Sequence, residues 1–298
     1  MSYIEVNSLK KYFRDNLVLD IEKFEANKGE LIAIIGKNGS GKSTFIKLLS
    51  GILVPSEGEI KISNKVNDDR FFRENSKFVL ESGKGYYDYL TARENIRYFL
   101  SLNKINYKSK IKELELYSKQ LEFYKHLDKK VSELSQGNRQ KLSIIVALLT
   151  DTNIIYLDEP TNGLDIVSNN LLIKFIYNLH IQKGKTIFIT SHDVSFLKNI
   201  DMRIILIKDG KIIKDTNSFD LLYNINLEKD VIELKLEDEY LLSELKHSKY
   251  KFLNDKIKIS VYDENETIKI LKKTVPISLK REILDVDDIF FKVVGSHE

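Results

Sequence analysis

The stretch LIAIIGKNGSGKSTFIKLLSG, residues 31–51, decides the architecture. Its first five residues form a continuous apolar run, the pattern of a strand buried on both faces. The next eight, GKNGSGKS at 36–43, have the form G-x-x-x-x-G-K-[ST]. Beyond them, apolar residues recur with helical spacing at Phe45, Ile46, Leu48 and Leu49, and Gly51 is placed to cap that helix. Strand, glycine loop and helix are together the setting in which such a loop holds phosphate. Gly36, Gly39 and Gly41 let the backbone wrap closely, so that amides from Asn38 through Ser40 to Ser43 surround a β-phosphate. Lys42 reaches the β- and γ-phosphates as a point charge. The Ser43 hydroxyl is placed to ligate Mg²⁺, with Thr44 behind it. The pattern marks a nucleoside triphosphatase without choosing among them.

Downstream, IIYLDEPTNGLD (154–165) supplies the other half of a hydrolytic site. Four apolar residues end in Asp158 and Glu159. Adjacent carboxylates at the end of a buried strand are costly unless positive charge is close, and Mg²⁺ on a triphosphate is such a charge. Asp158 is expected to hold the metal, and Glu159 to orient and deprotonate the attacking water. TIFITSHD (186–193) places His192 directly after another buried-strand pattern, where it can sense the γ-phosphate. The histidines at 126, 180, 247 and 297 stand in charged, helical or terminal contexts and read as surface residues. LSQGNRQK (134–141) is a second anion cradle: Ser135 reads as a helix N-cap, and Gly137 leaves the backbone bare in the first turn.

The rest of the chain bounds the reading. It has 298 residues, 42% hydrophobic and 31% charged, with a formal net charge of +3. That charge is too mild to argue for nucleic acid, and no nucleic-acid partner is expected. The absence of cysteine excludes disulfides and cysteine metal sites. The opening MSYIEVNSLKKYF has no apolar core of signal-peptide type. No apolar run approaches the ~20 residues that span a bilayer, and the longest, IIVALLT (144–150), fits a buried helix. A cytoplasmic protein is expected, with any membrane-spanning part supplied by another chain.

GEIKIS (58–63), IIYL (154–157), TIFIT (186–190) and IILI (204–207) read as strands, residues 91–150 as mostly helical, and Asp209-Gly210 as a tight hairpin. The alternation is that of an α/β fold. Between about 216 and 230 the texture changes. VIELKL and IKISVY alternate, EYLLSELKH between them is amphipathic, and ILDVDDIFFKVV closes the chain as a helix candidate. This tail reads as a small α+β appendage for packing or interaction, with no visible chemistry.

In combination these residues resemble the ATP-binding subunits of ABC transporters. GKNGSGKST resembles their Walker A loop, IIYLDEP their Walker B, LSQGN the signature LSGGQ, NGLD (ending at Asp165) the D-loop, and ITSH the histidine switch. The resemblance covers roughly residues 1–218. It implies a RecA-like P-loop core, an antiparallel β subdomain and a helical signature subdomain at about 82–150, followed by an accessory α+β domain at 228–298. Phe13, with Tyr12 beside it, matches the aromatic that stacks on adenine. Glu81 stands where the family usually has glutamine, as a further Mg²⁺ ligand. This replacement resembles a branch of ABC-2 type exporters, as does the closing ILDVDDIFFKVVG. Tyr86, Tyr87 and Tyr89 fall where such subunits receive the coupling helix of a membrane partner, or else they pack within the helical subdomain.

The resemblance further implies an ATPase that works as a head-to-tail dimer, a homodimer, with integral membrane permease subunits. It would lie on the inner face of the cell membrane and power transport, in the export direction. Ser135 and Gly137 of one subunit would close on the phosphate held by Lys42 of the other, which explains two cradles for one nucleotide, and Asp165 would join that composite site. Relatives acting on ribosomes usually carry two cassettes in one chain. Relatives acting on DNA insert long coiled coils between Walker A and signature, an interval of only about ninety residues here. A small-molecule kinase with the same loop would not require LSQGN, or Asp158 and Glu159 with His192.

Overall fold

The computed structural model describes residues 2–80, 85–193, 200–218, 228–246, 248–285, 288–289 and 292. The chain divides into two units, Met1–Ser218 and Phe219–Glu298.

In the first unit, β1 (Ile4–Phe13) and β2 (Asn16–Ala26) form an antiparallel hairpin. Alternate residues Ile4 and Val6, then Leu9 beyond a bulge, point into the core. The apolar run is β3 (Leu31–Ile35), buried at every position, and it feeds helix α1 (Lys42–Leu49) through the glycine loop. Strands β4 (Glu57–Ile62) and β5 (Lys65–Val66) complete the first sheet, in the order β2-β1-β4-β5. Helix α2 (Asp69–Asn75) leads into β6 (Ser76–Val79).

Three helices follow: α3 (Ala92–Leu102), opened by a Thr91–Glu94 capping box, α4 (Ile111–Gln120) and α5 (Gln136–Leu149). All ten residues of α5 from Gln140 to Leu149 are buried, as expected for a helix enclosed on every side. Then come β7 (Ile154–Leu157), α6 (Ile166–Lys183), β8 (Thr186–Ser191), β9 (Arg203–Lys208) and β10 (Lys211–Asn217). The second sheet runs β10-β9-β3-β8-β7-β6. It is parallel from β9 to β6, and β10 returns antiparallel through the Asp209-Gly210 turn.

Its register positions the chemistry. Ile35 lies opposite Ser191, and Leu157 opposite Ile189. The glycine loop, the Asp158–Glu159 pair and His192 therefore leave the sheet at one edge, the carboxyl ends of the strands, where open α/β sheets bind ligands. Beneath them, Tyr156 stacks on Phe188 at 5.1 Å, and Phe24 meets Phe45 edge-on at 5.3 Å. Full burial of one such side chain contributes about 1.5–3 kcal/mol. The Tyr156 hydroxyl, at the core's centre, donates to the Leu49 carbonyl (3.1 Å), so no polar cost opposes that burial. No helix among the described residues is long and apolar enough to cross a membrane.

The second unit is an antiparallel sheet of β11 (Glu228–Lys235), β12 (Ser248–Phe252), β13 (Lys256–Val261) and β14 (Ser278–Ile283), ordered β12-β13-β11-β14. The helix Glu264–Lys273 covers one face, enclosing Ile232, Leu234, Leu241, Ile257, Ile259, Val261 and Ile270. The stretch EYLLSELKH is not a regular amphipathic helix: Leu236–Glu244 is 3-10 helical. Its buried residues, Asp238 and Leu241, are three apart and so eclipse at 3.0 residues per turn. Much of the closing helix candidate lies outside the described residues.

Candidate active site

The loop at 36–43 is shaped by its glycines. Gly41 has φ 103°, a conformation open to glycine, and caps α1 so that the free amides of the helix face outward. A Cβ on Gly36 would stand 2.4 Å from the Ile207 carbonyl oxygen and 2.5 Å from Ser40 Oγ, so the loop can lie on β9 only with glycine there. Beside the loop opens a cavity of about 310 Å³, lined by Val18, Asn38, Gly39, Gly41, Lys42, Ser43, Thr44, Glu159, Asn162 and His192.

Lys42 is 5% exposed, and its ammonium donates to the carbonyls of Gly36 (2.8 Å) and Lys37 (3.0 Å). It also pairs with Glu159 Oε1 at 3.3 Å. Two buried opposite charges hold each other here at the mouth of an anion cradle, so a phosphate entering it meets a cation already fixed in place. Ser43 Oγ donates to Asp158 Oδ1 at 2.7 Å, across 115 residues of sequence. Thr190 Oγ1 donates to the same carboxylate oxygen at 2.7 Å and accepts the Glu159 N–H at 2.9 Å. Glu159 itself has φ 45°, a left-handed backbone conformation that costs on the order of 1–3 kcal/mol in a residue with a side chain. Its Oε2 meets His192 Nδ1 at 2.9 Å and accepts the His192 backbone N–H at 3.3 Å. Strain, a buried lysine and a histidine all converge on one carboxylate, the arrangement needed to aim a general base.

Mg²⁺ fits this donor set. Among the described residues, no three His, Cys, Asp or Glu side chains gather as a metal cage. The Ser43 hydroxyl of the cavity lining does meet the Asp158 carboxylate, and Mg²⁺ takes one or two protein oxygens together with phosphates and waters.

The other sequence-derived candidates are spread out. Ser135 is the N-cap of α5, its hydroxyl accepting the Asn138 N–H at 3.3 Å. Asp165 caps α6, accepting the N–H and hydroxyl of Ser168 at 2.8 and 3.0 Å, bonds that hold its carboxyl below the usual range. Neither they nor Gly137 line the cavity. The LSQGN helix start and the NGLD turn nevertheless fit together. A Cβ on Gly137 would lie 2.7 Å from Leu164 Cδ2, and one on Gly163 would lie 2.7 Å from the Gln136 amide.

Phe13 ends β1 about half exposed, with the Lys11 ammonium 5.4 Å from its ring centre, and it is not part of the lining either. Val18, on β2, is the apolar wall. Glu81 lies outside the described residues, as do His247 and His297. His126 and His180 are half-buried rather than free on the surface. His126 packs 5.8 Å from the Phe123 ring, and His180 Nδ1 meets the Lys185 carbonyl at 3.1 Å. Val18 escaped sequence reading, whereas Thr190 and Asn162 stand inside the ITSH and NGLD stretches without having been singled out.

The chain is similar to known proteins. The family described as ABC transporter matches residues 19–162. An uncharacterized ABC transporter ATP-binding protein of Methanocaldococcus jannaschii is 31% identical over 208 residues, 70% of this chain and 75% of that protein. The bacitracin transport ATP-binding protein BcrA of Bacillus licheniformis is 31% identical over 242 residues, 79% of this chain and 76% of that one. Among solved structures, a dimeric ATP-binding cassette in a post-hydrolysis state, bound to ADP and Pi, matches with a TM-score of 0.64 at 25% identity, covering 72% of this chain and 98% of that chain. By these similarities, this chain belongs to the ABC transporters and is one of their ATP-hydrolysing, ATP-binding subunits.

Proposed function

We propose that this subunit works as a head-to-tail homodimer that closes around two ATP molecules and drives export through membrane-spanning partner subunits. The observation that carries the reading is the division of the motifs. Lys42, Ser43, Glu159 and His192 border one cavity, whereas the capped amides at Ser135 and Gly137 do not. A second copy facing the first supplies the missing wall. The resemblance to a dimeric cassette bound to ADP and Pi supports this.

In each site, Lys42 and the loop amides would hold the phosphates, and Glu159 would accept a proton from the attacking water while His192 fixes its carboxylate. Mg²⁺, held through Ser43 and Asp158, would supply positive charge against the triphosphate. Ser135 of the second copy would close on the γ-phosphate. ATP shifts the dimer only by as much as it prefers the closed state over the open one.

The partner would dock at the tyrosines. Tyr86 turns inward: its ring meets Phe99 at 5.0 Å, its hydroxyl bonds Ser143 on α5, and burial pushes its phenol up to about 12. Tyr87 and Tyr98 share a hydroxyl contact of 3.1 Å and face outward with Tyr89, which is 69% exposed. Tyr86 therefore takes the packing role, and Tyr87 and Tyr89 are available to a partner. Through that partner the subunit would sit on the cytoplasmic face of the membrane. Export rests on the resemblance of Glu81 and the chain's closing segment to ABC-2 type exporters.

Ser135→Arg tests the dimer. ATP affinity should change less than about threefold, because no group in the cavity is altered, while ATP-dependent dimers vanish in sedimentation. Dimers that persist would leave LSQGN as a capped helix and nothing more.

A further inference from the structure

We infer that the C-terminal unit carries its own self-association surface, the outer edge of β14, which pairs antiparallel with β14 of a second copy about a two-fold axis at Arg281. Among the described residues no strand pairs with that edge, so a row of backbone donors and acceptors is presented outward. The strand carries exposed large apolar residues on one face, where an isolated edge would be expected to be guarded. Leu279 and Ile283 are 46% and 48% exposed, and Ile277 just before the strand is 52% exposed. They lie on the helix-bearing face of the sheet, since Leu279 sits opposite the core residue Ile232. On the same face the helix presents Ile268 and Leu271, also nearly half exposed.

The charges on β14 do not guard the edge. Arg281 is drawn back over its own sheet, bonded to Asp230 at 3.0 Å and to Glu264 at 3.5 Å. Lys280 and Glu282 lie on the opposite face, and they select the register. With the axis at Arg281, Leu279 meets the partner's Ile283, and Lys280 meets the partner's Glu282. Each pair occurs twice, so opposite charges match on one face. On the other, apolar residues match on both sides of the two Arg281 side chains, which meet at the axis with each charge already held by its own Asp230 and Glu264. An axis one residue earlier sets Leu279 against the partner's Arg281, and one residue later sets Arg281 against the partner's Ile283. Only the central register is self-complementary. The two-fold closes the assembly as one eight-stranded sheet, whereas pairing β14 with β12 would run on as a filament.

This contact needs no nucleotide, which separates it from the ATP-dependent closure proposed above. The chain has no cysteine, so an introduced pair reports unambiguously. Directly opposed antiparallel residues lie about 4.5–5.5 Å apart at Cα, within disulfide reach. In the nucleotide-free 298-residue chain, Leu279→Cys combined with Ile283→Cys should oxidise to a covalent dimer, and neither single variant should. Adding Lys42→Ala should leave this crosslink intact while abolishing ATP-dependent closure.

In sedimentation, Lys280→Glu or Glu282→Lys should each weaken the nucleotide-free dimer by about tenfold, since two attractive pairs become repulsive. The double swap should restore affinity to within about threefold, which a folding defect would not do. A nucleotide-free chain that sediments as a monomer, crosslinking no better in the double cysteine variant than in the singles, or open polymers in place of a dimer would each overturn the inference.

Discussion

Thr190→Val isolates the hydroxyl that joins the two carboxylates. Thr190 is fully buried, and valine keeps its shape. What goes is one donor, 2.7 Å from Asp158 Oδ1, and one acceptor, 2.9 Å from the Glu159 N–H. A hydrogen bond to a charged group is worth about 1.5–3 kcal/mol, and a buried N–H left unpaired costs a further ~1–3 kcal/mol. Water entering from the neighbouring cavity offsets part of this, leaving a net loss of about 2–4 kcal/mol. At ~2–4 °C per kcal/mol for a domain of this size, the unfolding midpoint should fall by about 5–15 °C.

Catalysis should suffer separately, because the bond that the Glu159 N–H donates to Thr190 Oγ1 helps hold Glu159 in its left-handed conformation. If 1.4–2.8 kcal/mol of positioning is lost, turnover drops by about 10- to 100-fold. ATP affinity should change less than about threefold, because Lys42 and the loop amides are untouched. Thr190→Ser keeps the hydroxyl and gives up one methyl, about 1 kcal/mol. It should therefore recover turnover to within about threefold of the parent. Calorimetry and phosphate-release kinetics on the full chain read both effects. A valine variant with the parent's midpoint and turnover, or a serine variant as damaged as the valine, refutes this account of how the carboxylates are held.

Glu159→Gln should retain ATP binding, slow hydrolysis by about 10²- to 10⁴-fold as befits loss of a general base, and accumulate an ATP-bound dimer in sedimentation; normal turnover would remove Glu159 from that role. Lys42→Ala should abolish turnover and also lower the unfolding midpoint, because it strands a buried carboxylate 3.3 Å away; adding Glu159→Gln should restore the midpoint without restoring activity. In the second unit, burial opposes ionisation of Asp288, but hydrogen bonds from Lys229 and Tyr262 outweigh it and hold the carboxyl below the usual range. The folded value lies below the unfolded one, so this carboxylate's stabilisation is present above the ordinary value of about 3.9 and is lost as pH falls through the folded value. Asp288→Asn should therefore lower the neutral-pH midpoint of the C-terminal unit and flatten its acid limb, and an acid limb as steep as the parent's would count against the pairing.

What could be read from sequence was what is local. The run at 31–35, the glycine loop and the helix after it announce one another within twenty residues. Asp158 and Glu159 stand out because acids seldom end an apolar run. Thr190 shows no such signal. In TIFIT it reads as one more β-branched strand residue, and its role depends on partners 31 and 32 positions away. Val18 is likewise an ordinary strand residue until the sheets bring β2 to the cavity wall. In the tail, SKYKF and SLKREI escaped notice as strands because no residue in either is fully buried, so no alternation marks them. His126 misled in the other direction. Lysines at 125 and 129 make its neighbourhood look solvated, yet its ring packs against Phe123 and its Nδ1 is buried.

The fit between Gln136–Gly137 and Gly163–Leu164 bears on how two sites in a dimer communicate. Glu159 faces the chain's own cavity, and the turn that follows it is closed by the Asn162 N–H on the Glu159 carbonyl (3.1 Å) and the Leu164 N–H on the Thr161 carbonyl (3.1 Å). Leu164 then occupies the space over Gly137, and Gln136 the space over Gly163. Packed contacts of this kind shift together or not at all, because close-packed interiors do not deform continuously. In the head-to-tail dimer proposed above, Ser135 serves the partner's nucleotide, so the same interlock joins the base of one site to the second cradle of the other. Coupling between sites is typically about 1–3 kcal/mol, enough for a 5- to 150-fold effect. On this argument, a dimer carrying one Ser135→Arg subunit and one unaltered subunit should turn over far less than half as fast as the parent. Two sites acting independently would leave half the activity, and that result would break the argument.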